Sequence, residues 1–145
     1  MTYSEVKGDL FTAPNDCYFA HCISADYALG AGIAREFNRR YNMSYRLHRK
    51  YPFSDTGDCL LIDNVFNLVT KLRYYYKPTY DDFTKSLVEL RKQCELLHIT
   101  KLAMPRIGCG LDKLKWERVR DIIKSVFNES DISIVVYSLQ RGAGI

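Results

Sequence analysis

Lys101-Leu102-Ala103-Met104-Pro105-Arg106-Ile107-Gly108-Cys109-Gly110-Leu111-Asp112 is a strand-like run that enters a loop with two glycines and a carboxylate directly behind them. The residues from Lys101 to Ile107 read as the strand. From Trp116 to Phe127, the residues Trp116, Val119, Ile123 and Val126 fall on one face of a helix. Ile132 to Tyr137 then reads as a final buried strand. Strand-like and amphipathic helical segments thus alternate, which favours a layered α/β sheet over a bundle or a sandwich. Glycines without Cβ atoms let a backbone approach a phosphate closely, and Asp112 places a reactive group alongside.

The same alternation extends upstream. Tyr3 to Lys7 is a short candidate strand ending at Gly8-Asp9, and Cys17 to Ile23 is a second, more apolar one. A turn carrying Gly30 and Gly32 follows, and from Ala31 to about Tyr41 the residues Ile33, Ala34, Phe37 and Tyr41 share a helical face. Met43 to Tyr51 is a weaker helical segment stopped by Pro52. Cys59 to Ile62, the turn Asp63-Asn64 and Val65 to Val69 form a hairpin pattern, because Asp and Asn tolerate the positive φ of a tight turn. The second hairpin strand delivers Thr70 and Lys71 at its far end. From Tyr80 to His98, Phe83, Leu87, Leu90, Cys94 and Leu97 recur in steps of four and three, the clearest amphipathic helix in the chain.

With 145 residues, 47% of them hydrophobic, the chain is long enough to bury roughly 70% of its unfolded surface in one core. One domain is expected over residues 1–140, with 141–145 a flexible, glycine-rich tail. A net charge of +4 leans mildly toward anionic partners, and a nucleotide satisfies it as well as a nucleic acid. The five cysteines are odd in number and hold no C-x-x-C pair. They point to a reducing compartment rather than a disulfide framework. There is no signal-peptide pattern and no apolar run of membrane-spanning length, so the expected location is intracellular, cytoplasmic or nuclear, with no membrane partner.

Two glycine loops, each after a strand and before a helix, can both offer backbone N–H groups and a helix N-terminus to an anion. The first, Leu29-Gly30-Ala31-Gly32-Ile33-Ala34-Arg35, holds Arg35 where a dinucleotide-binding fingerprint needs its third glycine, and the acidic residue about 20 positions on is missing. Lys71 and Asp112 fall at strand exits, where crevices of open α/β sheets form, and make the best acid/base pair in the chain. Their ordinary alternatives are a solvated lysine and an N-capping aspartate before the helix at Trp116. A lysine at its reference pKa is a neutral amine only about 0.1% of the time near neutral pH, and a neighbouring carboxylate favours the ammonium. Lys71-Leu72-Arg73-Tyr74-Tyr75-Tyr76-Lys77 interleaves cations with aromatics, which suits a substrate-side wall that stacks on bases. His21, His48 and His98 lack metal-ligand spacing, so no metal is expected, and His21 reads as a satisfied core histidine. Cys109 between its two glycines is expected to serve through its backbone.

Read together in order, Lys7-Gly8-Asp9-Leu10-Phe11, His21-Cys22-Ile23-Ser24, Gly30-Ala31-Gly32-Ile33-Ala34, Thr70-Lys71, Lys77-Pro78-Thr79-Tyr80 and the run through Asp112 resemble the macrodomains. These are modules that bind ADP-ribose, and the likeness is to their branch of terminal ADP-ribose glycohydrolases. The resemblance spans residues 5–139. It implies a three-layer α/β/α fold with a mixed central sheet and ADP-ribose lying across its crest. On the same basis, Asp9 and Leu10 sit at the adenine, and Ser24 faces the distal ribose. Gly30, Ala31, Gly32, Ile33 and Ala34, with Pro105, Ile107, Gly108, Cys109, Gly110 and Leu111, hold the diphosphate and line the site. Lys71 attacks the anomeric carbon, and Asp112 shuttles protons and helps release the lysine adduct.

Many macrodomains carry asparagines where this chain has His21 to Ser24, and an aromatic residue where it has Cys109 and Leu111. Lysine-dependent chemistry is therefore favoured over water positioning. The expected activity is removal of terminal ADP-ribose from acyl links on glutamate, aspartate or O-acetyl-ADP-ribose, by a monomer needing no cofactor. Its partners are then ADP-ribose and ADP-ribosylated proteins or small molecules. Two alternatives stand beside it: a hydrolase acting on ADP-ribosylated DNA or RNA, and a non-catalytic ADP-ribose reader.

Overall fold

The computed structural model describes residues 1–110 and 112–139; Leu111 and the expected tail, 141–145, lie outside the described residues. In chain order the elements are β1 (Thr2–Lys7), a short 3-10 turn (Leu10–Thr12), β2 (Tyr18–Ser24), α1 (Gly32–Tyr41), α2 (Met43–Lys50), β3 (Cys59–Ile62) and β4 (Val65–Lys71). They continue with α3 (Tyr80–Leu97), β5 (Lys101–Pro105), α4 (Trp116–Val126) and β6 (Ser133–Ser138). The expected alternation is present, with two differences of substance. The 3-10 turn has no apolar period to announce it; Asp9 makes it, accepting the Phe11 N–H at 2.9 Å. β5 stops at Pro105 rather than Ile107, because the Ile107 N–H turns back to the Pro105 carbonyl at 2.8 Å instead of joining the sheet.

The sheet order is β1-β6-β5-β2-β4-β3. Among the described residues only the β3–β4 pair is antiparallel, so the sheet is mixed, as expected. The hairpin turn puts Asp63 at φ 50°, and Arg46 holds its carboxylate with two bonds of 2.7 and 2.8 Å.

Alternation along the strands divides the core in two. Phe66 and Leu68 of β4 with Leu102 and Met104 of β5 face α3 and α4, meeting Phe83, Leu87, Leu90, Val119 and Ile123. Val65 and Val69 of β4 with Ala103 of β5 face α1 and α2, meeting Phe37, Met43 and Leu47. Helices on both faces explain why β4 reads as a nearly unbroken apolar run. Burying such a run removes about 25 cal/mol of unfavourable hydration per Å² of apolar surface, the main term holding the layers together.

The topology fixes where a ligand can sit. β2 leads into α1 and α2 and on to the β3–β4 edge, whereas its neighbour β5 leads through α4 to β6 on the opposite side. Outgoing chains that diverge from adjacent parallel strands leave a crevice at the strand ends. The two glycine loops flank that crevice.

Candidate functional site

A cavity of about 750 Å³ opens at the carboxyl ends of β2, β4 and β5. It is lined by Ser24, Gly30, Ala31, Gly32, Ile33, Ala34, Lys71, Pro105, Ile107, Gly108, Gly110 and Asp112, all residues singled out from the sequence. A second cavity of about 870 Å³ lies beside it, lined by Asp9 and Leu10 and sharing Gly32, Ile33, Pro105, Arg106 and Gly110 with the first. The two form one long cleft over the sheet crest. Cys109 lines neither cavity, and Leu111 lies outside the described residues.

Two backbone features suit the cleft to an anion. α1 has Ala31 at its N-cap, with no side-chain cap, so the N–H groups of its first turn are left to other partners. On the β5 side, Gly108 adopts φ 75°, and a Cβ there would stand 2.8 Å from Leu114 Cδ1. A side chain would thus be both strained and crowded at the point where the loop meets the cleft.

Lys71 and Asp112 meet in the first cavity. The Lys71 Nζ donates to Asp112 Oδ1 at 2.5 Å, and only 14% and 17% of the two side chains is exposed. Asp112 is therefore no helix cap; the residue before α4 is Lys115, and its side chain makes no capping bond. Cys22 lies against this pair, and burial, with the Asp112 carboxylate and Cys109 thiol nearby, pushes its thiol well up. Burial likewise raises Cys109 to about 11, and its Sγ donates to the Ile107 carbonyl.

Sequence reasoning passed over Asp26. Its Oδ1 accepts the Ser24 hydroxyl at 2.5 Å and the Ala28 N–H at 3.2 Å, and its Oδ2 accepts the Tyr74 N–H at 2.9 Å. Burial pulls this carboxyl upward; the bonds from Ser24, Tyr74 and Ala28 and the charge of Arg73 outweigh it, and the group is held below its usual range. The Ser-x-Asp spacing before the glycine loop was the available signal. Arg106, which lines both cavities, was also missed, because between Pro105 and Ile107 it reads as an ordinary exposed residue. Of the tyrosine strip, Tyr74 lines the first cavity, while Tyr75 and Tyr76 stand exposed beside it.

In the second cavity the Arg40 guanidinium lies 4.1 Å from the centroid of the Phe11 ring. Hydrogen bonds from Arg39 and then Arg40 hold the Glu36 carboxyl down at about 2.

No family model matches the chain. It is 43% identical over 141 residues to the ADP-ribose glycohydrolase OARD1 of Homo sapiens, covering 96% of this chain and 91% of that protein. The DNA ADP-ribosyl glycohydrolase of Mycobacterium tuberculosis is 25% identical over 155 residues, covering 99% of this chain and 43% of that protein. Among solved structures, the macrodomain of Mycobacterium tuberculosis DarG is similar with a TM-score of 0.85 at 24% identity, covering 96% of this chain and 99% of that one.

Proposed function

The chain belongs to the macrodomain family, and from that premise we propose that it is an ADP-ribose glycohydrolase that removes terminal ADP-ribose from acyl-linked substrates through Lys71 and Asp112. The observation that carries the reading is the partly buried 2.5 Å Lys71–Asp112 pair at the wall of a cleft between two backbone anion sites. The cleft suits a dinucleotide-like ligand laid lengthwise. The adenine end lies by Asp9 and Leu10, the diphosphate crosses the α1 N-terminus and the Gly108–Gly110 loop, and the distal ribose lies by Ser24 and Lys71.

The pair's proton is the central matter of mechanism. As paired, Lys71 carries the proton and cannot attack. A ribose packed over the pair strips water from both groups, and desolvation penalises an ammonium and a carboxylate together. The proton then passes along the short hydrogen bond to Asp112, leaving a neutral amine and a neutral acid. The Lys71 Nζ lone pair forms a bond to the anomeric carbon as the bond from that carbon to the acyl oxygen breaks. The acyl group departs as a carboxylate, which needs no proton. The adduct is a secondary ammonium; water displaces it from the anomeric carbon, the proton this water loses passes to solvent, and Asp112 returns its own proton to the freed Lys71 amine.

Release of free ADP-ribose from an aspartate- or glutamate-linked substrate tests this reading. Lys71→Ala and Asp112→Ala are each expected to lose about a hundredfold or more in rate. Full activity in Lys71→Ala overturns the mechanism.

A second reading has its own observation. Tyr74, Tyr75 and Tyr76 are 65%, 68% and 48% exposed, and they stand between Arg73 and Lys77 at the cleft's edge. Exposed rings interleaved with cations suit an ADP-ribosylated single strand of DNA or RNA. That reading requires binding of a modified oligonucleotide to weaken steeply with salt, by nearly one unit of log-log slope per phosphate contacted. Salt-independent binding counts against it.

A further inference from the structure

We propose that Asp26 is a positioning residue: it fixes the Ser24 hydroxyl as a hydrogen-bond acceptor facing the cleft beside Lys71, so that the site requires a free hydroxyl on its substrate's distal ribose. This rests on the ADP-ribose reading above and names what that site selects.

Ser24 is opposite Lys71 across the β2–β4 pair, and the next residue's N–H, from Ala25, bonds the Lys71 carbonyl at 2.9 Å. Whatever occupies the cleft over Lys71 therefore also meets Ser24. A serine hydroxyl has one proton and two lone pairs. Asp26, held ionised, can only accept, so at 2.5 Å it takes that proton. Ser24 is left with lone pairs alone, and it is 5% exposed, so water does not freely supply a donor in a ligand's place. A ribose hydroxyl can donate to it, whereas a phosphate oxygen, an ether oxygen or a hydrogen in that position cannot.

The surroundings of Asp26 over-determine its place. Tyr27 and Leu29, both non-glycine residues, adopt φ 54° and 42°, a left-handed conformation that strains a residue with a Cβ. This strained turn is held by Asp26 through the Ala28 N–H, by the Tyr27 N–H bonded to the Ser24 carbonyl at 3.0 Å, and by the Ser44 hydroxyl donating to the Tyr27 carbonyl at 2.6 Å. The third bond, from Tyr74, ties the β4–α3 loop to the same carboxylate. Three donors thus converge on two oxygens. An asparagine cannot replace this group, because its NH₂ must face either Tyr74, donor against donor, or Ser24, reversing the hydroxyl's polarity.

The test is calorimetric binding of ADP-ribose and of two analogues, each with one secondary hydroxyl of the distal ribose replaced by hydrogen. It is run on the unaltered protein, Ser24→Ala and Asp26→Asn, with thermal unfolding to confirm that each is folded. The unaltered protein is expected to prefer ADP-ribose over one analogue by about tenfold to a hundredfold, and that preference to fall to about threefold or less in both variants. A residue serving stability alone lowers affinity for all three ligands together and leaves the ratio intact. Ser24→Ala keeps the Asp26 bonds to Ala28 and Tyr74, so it decides the acceptor claim should Asp26→Asn fail to fold. Equal binding of all three ligands by the unaltered protein overturns this inference and leaves the ADP-ribose reading standing. An undiminished ratio in folded Asp26→Asn overturns the role of Asp26. Failure of the unaltered protein to bind ADP-ribose overturns both readings.

Discussion

His21 lies inside β2 with its ring fully buried and tilted against Phe37 at 4.2 Å between centroids. Its Nε2 meets Asn67 Oδ1 at 2.6 Å, while Nδ1 has no partner among the described residues. It was expected as a satisfied core histidine, and half of it is. Burial outweighs the Asn67 bond and lowers its pKa from 6.5 to about 4, because a proton on Nδ1 finds no acceptor. The sign follows from linkage. Below pH 6.5 the unfolded chain binds a proton that the folded one refuses, so the contribution is complete above 6.5 and is lost as pH falls toward 4. It amounts to roughly 3 kcal/mol across that window. Urea unfolding from pH 7 to pH 4.5 should show stability falling more steeply in the unaltered protein than in His21→Gln, whose residue 21 does not titrate. Parallel profiles contradict this account of His21. Residue type and period were legible here from sequence; the partner Asn67, 46 positions away, was not.

At the scale of elements, the helices carry opposite messages at their N-termini. α3 is capped by Thr79, whose hydroxyl accepts the Asp82 N–H at 3.1 Å, while α1 has Ala31 at its N-cap without a side-chain cap although that residue's φ of −149° and ψ of 158° suit one. α2 and α4 also lack a side-chain cap, and what sets α1 apart is that its uncapped start, Ala31 to Ile33, lines the cleft and can turn its N–H groups to an anion. Ala31→Asp is therefore expected to raise unfolding free energy by about 1 kcal/mol and to weaken ADP-ribose binding tenfold or more, since a fixed carboxylate takes the diphosphate's place. Stabilisation without loss of binding contradicts the assignment of that terminus. Both glycine loops were legible because each interrupts a clear apolar period. The end of β5 at Pro105 was not, because Ile107 continues the apolar pattern after the backbone has turned away.

At the scale of the molecule, the divergence of the chains leaving β2 and β5 makes one cleft from segments far apart in sequence. Lys71 and Asp112 are 41 positions apart and 2.5 Å apart in space. Sequence could place each at a strand exit, yet only the order β5-β2-β4 brings the exits together, and strand order is not written in any one segment's pattern. The same holds for Asp26, whose partner Tyr74 arrives from the far side of β4.

The account's central claim is that Lys71 forms a covalent link to the distal ribose and that Asp112 helps to break it. Mass measurement of intact protein, quenched in denaturant shortly after mixing with an acyl-linked ADP-ribosyl substrate, tests it most directly. Asp112→Ala also removes the charge that favours the Lys71 ammonium, so a ribose that desolvates the lysine still leaves a neutral amine to attack; the variant should accumulate a mass increment of one ADP-ribosyl group, localised to Lys71 and absent when Lys71 is also replaced. An Asp112→Ala protein that releases ADP-ribose but never carries that increment would contradict it.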